Sequence, residues 1–139
     1  MANYWPEPSA GDIVWCRFPE VVGVPGPKPR PGLVIKVFDD DAPEFVVEIA
    51  YGTSQKTNRM HAGEFLIPEI PAAPYKLAGL SYPTKFNLKK LVQLPFNSEW
   101  FDLAPGNITQ TPVMGTLHPS LHRAFLAAFH AAMQDRKQP

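Results

Sequence analysis

Lys28-Pro29-Arg30-Pro31-Gly32-Leu33-Val34-Ile35 is the stretch on which the fold turns. Within it a proline-rich loop becomes a hydrophobic strand, and an arginine stands between two prolines. Each proline holds its own φ at about −65° and drives the residue before it toward extended geometry. Pro31 therefore stiffens the backbone of Arg30 at the mouth of the strand. A guanidinium on such a backbone loses little conformational entropy when it meets a phosphate or carboxylate. The plainer reading is a rigid loop with Arg30 as a solvated surface charge. The stretch by itself favours the plainer reading, and the rest of the chain shifts that balance.

The rest of the pattern builds outward from that strand. Upstream, Ile13-Val14-Trp15-Cys16-Arg17-Phe18 is apolar on both parities except at Arg17. It predicts a short strand buried on both faces and ended by Pro19. Residues 19–31 between them form a long proline-rich loop, of the length that is usually functional or mobile. Leu33–Phe38 is the second strand, followed by the acidic turn Asp39-Asp40-Asp41-Ala42-Pro43. Phe45, Val47, Ile49 and Tyr51 then alternate with Val46, Glu48 and Ala50, the clearest strand pattern in the chain. Gly52-Thr53-Ser54-Gln55 follows it directly, and Glu64–Ile67 reads as another short strand.

Pro68, Pro71 and Pro74 recur every third residue, which predicts a rigid polyproline II connector. Phe86, Leu88, Val92 and Leu94 share one parity, but Lys90 and Leu91 break the alternation and predict a bulge or tight turn. Residues 95–116 are rich in turn formers, with Trp100 and Phe101 as anchors. His118-Pro119-Ser120 opens a helix expected over residues 117–135, with a stripe of Leu121, Phe125, Ala128, Phe129, Ala132 and Met133. Residues 1–10 read as a loose arm. The expected fold is mainly β: a small, curled, mostly antiparallel barrel of about five short strands, with a C-terminal amphipathic helix packed on one face.

Size and composition bound the function. The 139 residues fit a single domain spanning 1–139, and 45% hydrophobic content excludes a disordered chain. The lone cysteine, Cys16, excludes an internal disulfide and a cysteine-based zinc site, and its apolar setting makes it a small core residue. Net charge is zero, with a pI near 6.9, so no global field draws the chain to nucleic acid and any such site must be a local patch. The amino terminus lacks a signal-peptide pattern and no apolar run could span a bilayer, so a cytoplasmic location without membrane contact is expected.

Among chemical motifs, His118 and His122 stand four apart, but the glutamate of a metalloprotease helix is missing and no cysteine or carboxylate lies nearby in sequence. Neither a metal nor any other cofactor is expected. The chain has no nucleophile elbow and no phosphate-binding P-loop. Phosphate handling by other means remains. Arg30 opens one strand, and Thr53 and Ser54 close another; if those strands are antiparallel neighbours, the guanidinium lies near the two hydroxyls. Such a set, with nearby backbone N–H groups, suits an anionic trigonal-bipyramidal phosphorane. Lys28, Lys56 and Arg59 could add positive charge at the rim. The plain alternative for Gly52–Gln55 is a polar turn after a strand.

Three stretches together resemble the PemK/MazF-like toxins of bacterial toxin–antitoxin pairs. Gly11-Asp12-Ile13-Val14-Trp15 is similar to that family's opening strand, Arg30-Pro31-Gly32-Leu33-Val34-Ile35 to its R-P-[AG]-[LV]-V-[IV] strand, and Ala50-Tyr51-Gly52-Thr53-Ser54-Gln55 to its strand followed by T-[ST]-Q. They occur in the family's order and spacing and cover roughly the first half of the chain. The resemblance implies an SH3-like barrel with an added helix, a homodimer with single-stranded RNA lying across it, and a cognate antitoxin partner. It also implies metal-independent cleavage, in which the ribose 2′-hydroxyl attacks the adjacent phosphate and leaves a 2′,3′-cyclic phosphate and a 5′-hydroxyl. By position, Arg30 takes the role of stabilising the phosphorane and helping to protonate the leaving oxygen. Thr53 takes that of binding the scissile phosphate. Lys28, Ser54, Gln55, Lys56, Arg59 and Lys85 complete the candidate RNA-binding set. The second half departs from the family: Tyr82–Leu88 holds no carboxylate to serve as general base, and the tail from Pro95 is longer than the compact members need. A binding module on the same barrel that lacks the acid/base residue is the alternative function.

Overall fold

Six runs rich in Val, Ile and aromatic residues pair into one antiparallel sheet in a computed structural model of the chain, which describes residues 2–106 and 108–137. The strands are β1 (Asp12–Cys16), β2 (Arg30–Phe38), β3 (Val46–Thr53), β4 (Glu64–Ile67), β5 (Thr84–Pro95) and β6 (Val113–Thr116). Their spatial order is β4-β5-β3-β2-β1-β6. Helix α1 (Ala72–Ala78) precedes β5, and a 3₁₀ turn (Pro119–Leu121) leads into helix α2 (His122–Lys137). Register shifts fall at Ile13/Val14, Val34/Lys36 and Ala50/Tyr51. Such irregularities bend strands and raise their twist, and the sheet curls into a half-barrel.

Both faces of the sheet are covered. Ile13, Leu33, Ala50, Phe65, Phe86 and Leu88 pack with Ala128 and Ala132 of α2. Val14, Cys16, Val34, Val47, Ile49 and Leu94 form the other core with Phe96, Trp100 and Phe101, which follow β5. Neighbouring residues such as Ile13 and Val14, or Leu33 and Val34, enter opposite cores because side chains alternate across a strand. Burial on both faces is the reason β1 reads as a continuous apolar run. The expected bulge in β5 is present: Ala50 pairs with Leu91 but Tyr51 pairs with Asn87, so Leu88, Lys89 and Lys90 are accommodated within a single step of β3.

Several elements differ from the sequence reading. The amino-terminal arm is docked: the Trp5 backbone N–H donates to the Phe96 carbonyl at 3.0 Å and its indole N–H to the Phe101 carbonyl at 3.2 Å. No periodic pattern announces such a single aromatic anchor. The proline triplet does not form a polyproline connector. Pro71 caps α1 and Pro74 sits in its first turn, where a missing N–H costs nothing. The helix ends at Gly79 with φ 72°, and α1 rests directly on β6, where a Cβ on Gly115 would come within 2.1 Å of the Leu77 carbonyl oxygen. Strand β6 itself lies inside the stretch read as turns. The terminal helix begins later than expected, after His118 Nδ1 accepts the Ser120 N–H at 3.0 Å. Among the described residues, no helix is long and apolar enough to cross a membrane.

Candidate functional site

Strand β2 starts at Arg30, three residues earlier than the apolar run suggests, so the arginine belongs to the sheet. Its Cα pairs with Cys16 of β1 on one side. On the other side β2 and β3 pair as Gly32↔Tyr51, Leu33↔Ala50 and Val34↔Ile49. Continued by one repeat, that register sets Arg30 across from Thr53. Gly52 permits the approach: a Cβ there would lie 2.4 Å from the Pro31 carbonyl oxygen and 2.7 Å from the Phe86 ring.

The consequence is a cavity of about 380 Å³ whose wall includes Arg30, Thr53 and Ser54 together with Trp15, Pro29, Pro31 and Tyr82. Thr53 Oγ1 accepts the Gln55 backbone N–H at 3.1 Å, which leaves the hydroxyl proton available to donate. Thr84 also lines the cavity, but its hydroxyl already donates to the Tyr82 carbonyl at 2.8 Å. Arg30 is half-buried as a residue, and its guanidinium makes no hydrogen bond or ion pair among the described residues. Arg17, by contrast, is paired with Asp102 at 3.1 Å. The cavity wall contains no carboxylate and no histidine. An open guanidinium beside free hydroxyl donors is suited to hold a phosphate or another tetrahedral oxyanion.

Arg30 also lines a second cavity of about 310 Å³, with Lys28, Lys90, Tyr51, Phe18 and Glu20. Lys90 Nζ stands 5.3 Å from the Tyr51 ring centroid, and the Phe18 ring meets Tyr51 edge-on at 5.2 Å.

The sequence candidates therefore sort into groups. Arg30, Thr53 and Ser54 share the larger cavity, and Lys28 joins Arg30 in the smaller one. Gln55 is exposed and supplies the N–H to Thr53. Lys56, in the left-handed region at φ 52°, and Arg59 are exposed and line neither cavity. Lys85 has another role. It is 5% exposed, and its ammonium donates to the Arg59 carbonyl at 2.8 Å and pairs with Glu64 at 3.2 Å. Its Cα is beside Thr53 in the sheet, but its charge is spent holding the loop between β3 and β4. Sequence reasoning missed Tyr51, Tyr82, Trp15 and Lys90 as wall residues. The broken alternation at Lys90 was the one available signal.

Cys16 lies in the core, and burial pushes its thiol well above the ordinary value of 9.0. It therefore stays protonated and is not a nucleophile. Burial also raises the Asp12 carboxyl, opposed by the Ser9 backbone N–H that donates to it at 2.8 Å. Among the described residues, no three His, Cys, Asp or Glu side chains come together to hold a metal.

The sequence matches no family model and no curated protein. The fold is similar to that of a solved endoribonuclease in complex with its cognate antitoxin, from a mycobacterial species. The two superpose with a TM-score of 0.58 over 92% of this chain and 96% of that one, at 16% sequence identity, a likeness of fold.

Proposed function

We propose that this chain is a toxin-like, metal-independent endoribonuclease of the PemK/MazF kind, acting on single-stranded RNA. The observation that carries the reading is one cavity holding an uncommitted guanidinium and two hydroxyls, those of Arg30, Thr53 and Ser54. Support comes from the fold shared with an endoribonuclease that is bound to its antitoxin. In the reaction the 2′-oxygen bonds to phosphorus and the bond from phosphorus to the 5′-oxygen breaks. The 2′-hydroxyl loses a proton and the leaving oxygen gains one; the products are a 2′,3′-cyclic phosphate and a 5′-hydroxyl. Arg30 neutralises the charge that builds on the phosphorane oxygens and assists protonation of the leaving oxygen, and Thr53 donates its hydroxyl to the same phosphate. A donor aimed at developing charge is worth about 10²–10³-fold in kcat. The same reading makes the protein a cytoplasmic homodimer restrained by a cognate antitoxin.

The test is single-stranded RNA incubated with the protein in EDTA. Products ending in 2′,3′-cyclic phosphate are expected, with Arg30→Ala and Thr53→Val each at least 100-fold slower and Thr53→Ser largely active. Absence of cleavage at any protein concentration, or full activity of Arg30→Ala, refutes the reading. One observation favours a second reading, a non-catalytic RNA-binding or protein-binding module: no carboxylate or histidine lines the larger cavity to take the 2′-hydroxyl proton. RNA that binds tightly and is never cut selects that alternative.

A further inference from the structure

Apart from Arg30, the residues of the second cavity have no part in the reaction just described, yet the cavity converges three cations on an aromatic wall. Lys28 comes from the loop before β2, Arg30 from the start of β2 and Lys90 from the β5 bulge. The bulge fits three extra residues into one step of the ladder and thereby places Lys90 over Tyr51, at 5.3 Å from the ring centroid. A β-bulge that re-aims a side chain beside a cavity is a recurrent device at binding sites. Beyond this cation–π contact Lys90 makes no hydrogen bond or ion pair among the described residues, so it keeps N–H donors for an anion. Tyr51 is held edge-on by Phe18 at 5.2 Å, so the wall is preset rather than floppy. Glu20 is the one acidic residue facing the three cations in this cavity.

Arg30 is common to both cavities. We propose that the smaller cavity is a nucleotide subsite: it takes the phosphate flanking the one held beside Thr53, between Lys28, Arg30 and Lys90, with the attached base against the Tyr51 and Phe18 wall. The proposal rests on the reading of the larger cavity as the site of RNA cleavage and extends it to the neighbouring nucleotide. A strand then passes over Arg30, which touches two successive phosphates. Aromatic walls accept any base, because every base offers a π face, so this subsite sets affinity and register rather than a strict sequence.

The experiment separates binding from cleavage. A fluorescein-labelled DNA tetramer lacks the 2′-hydroxyl and cannot be cut, so fluorescence anisotropy reads binding alone. The parent protein is expected to bind it, and Lys28→Ala/Lys90→Ala to weaken binding at least tenfold and flatten its salt dependence. Lys36→Ala, which removes an exposed cation stacked on Phe38 away from both cavities, is expected to stay within twofold of the parent. An abasic tetramer of the same length is expected to bind at least fivefold more weakly than the normal one. The proposal is overturned if the parent does not bind the tetramer, if the double variant binds like the parent, or if Lys36→Ala weakens binding as much. It is also overturned if the abasic tetramer binds equally well, or if a glutamate-rich peptide binds as tightly through the same two lysines. Parallel assays on RNA distinguish the two claims. Cleavage by the parent with an unchanged KM in the double variant sinks the subsite and spares the enzyme. Lysine-dependent tetramer binding without any RNA cleavage sinks the enzyme and spares the subsite.

Discussion

Replacing Glu64 by alanine should be among the most destabilising single changes in the molecule that leave the hydrophobic cores intact. Lys85 and Glu64 form an ion pair at 3.2 Å with side chains only 7% and 8% exposed. Lys85 also donates to the Arg59 carbonyl at 2.8 Å, and the Glu64 carboxylate accepts the His61 N–H at 2.8 Å. Truncating the glutamate strands a buried ammonium with a single acceptor. Removing one member of a buried pair costs about 3–5 kcal/mol, whereas replacing both by apolar residues of similar volume is often nearly neutral. With a urea m-value of about 1–3 kcal/mol/M for a domain of this size, the unfolding midpoint should fall by about 1–5 M. The fluorescence of Trp100, which is 7% exposed, offers a readout. Glu64→Leu/Lys85→Met should recover most of the loss. Arg17→Ala, which breaks a pair whose members are 31% and 52% exposed, should cost less than about 1 kcal/mol. The reasoning is refuted if Glu64→Ala unfolds within about 0.5 M of the parent, a shift too small for a buried unpaired charge. It is refuted equally if the double replacement is no more stable than the single one. Because the pair pins the loop that begins at Ser54, Glu64→Ala should also speed amide exchange across residues 54–63.

Two further predictions concern the sheet. Cys16 should resist thiol reagents at pH 8 in the native protein and react fully once unfolded. As pH rises past 9.0 the unfolded chain ionises this thiol while the folded chain keeps its proton, so stability should fall from that point upward; stoichiometric labelling of native protein within minutes contradicts both statements. Gly52→Ala should separate β2 from β3, since the new methyl meets the Pro31 carbonyl oxygen at 2.4 Å, costing about 1–3 kcal/mol. It should also weaken phosphate binding by displacing Thr53 from Arg30, and unchanged tetramer affinity and urea midpoint would disprove it.

Strands with clean alternation were legible in the sequence: Phe45–Tyr51 gives β3 almost to its ends, Glu64–Ile67 gives β4, and the break at Lys90 gives the bulge. What escaped was set by contacts distant in sequence. Tyr4 and Trp5 dock on residues 96–101 through a single aromatic and a few backbone bonds, which leave no periodic trace. Helix α1 hid behind its prolines, because a proline in a helix's first turn looks locally like one that forbids a helix. Strand β6 is four residues long with none fully buried, and four half-buried residues make too short a pattern to read.

The candidate site was half legible for a related reason. Arg30 and Thr53 could be brought together from sequence because each marks the end of a readable strand and antiparallel pairing does the rest. Which cations remain free could not be read, since Arg17 is neutralised by Asp102 and Lys85 by Glu64, 85 and 21 residues away. Before the fold is known Arg17, Arg30 and Lys85 are equivalent charges beside apolar strands. Afterwards two are occupied, and Arg30, the residue shared by both cavities, has no partner among the described residues. Arg30 therefore keeps its side-chain N–H donors for a ligand, whereas those of Arg17 and Lys85 are engaged within the chain. The prolines on either side of Arg30 restrict its backbone before any ligand arrives, so less entropy remains to be lost on binding. On the proposed function, the stiff loop exit and the open charge are two parts of one device: a cation preset for the phosphate of a bound RNA.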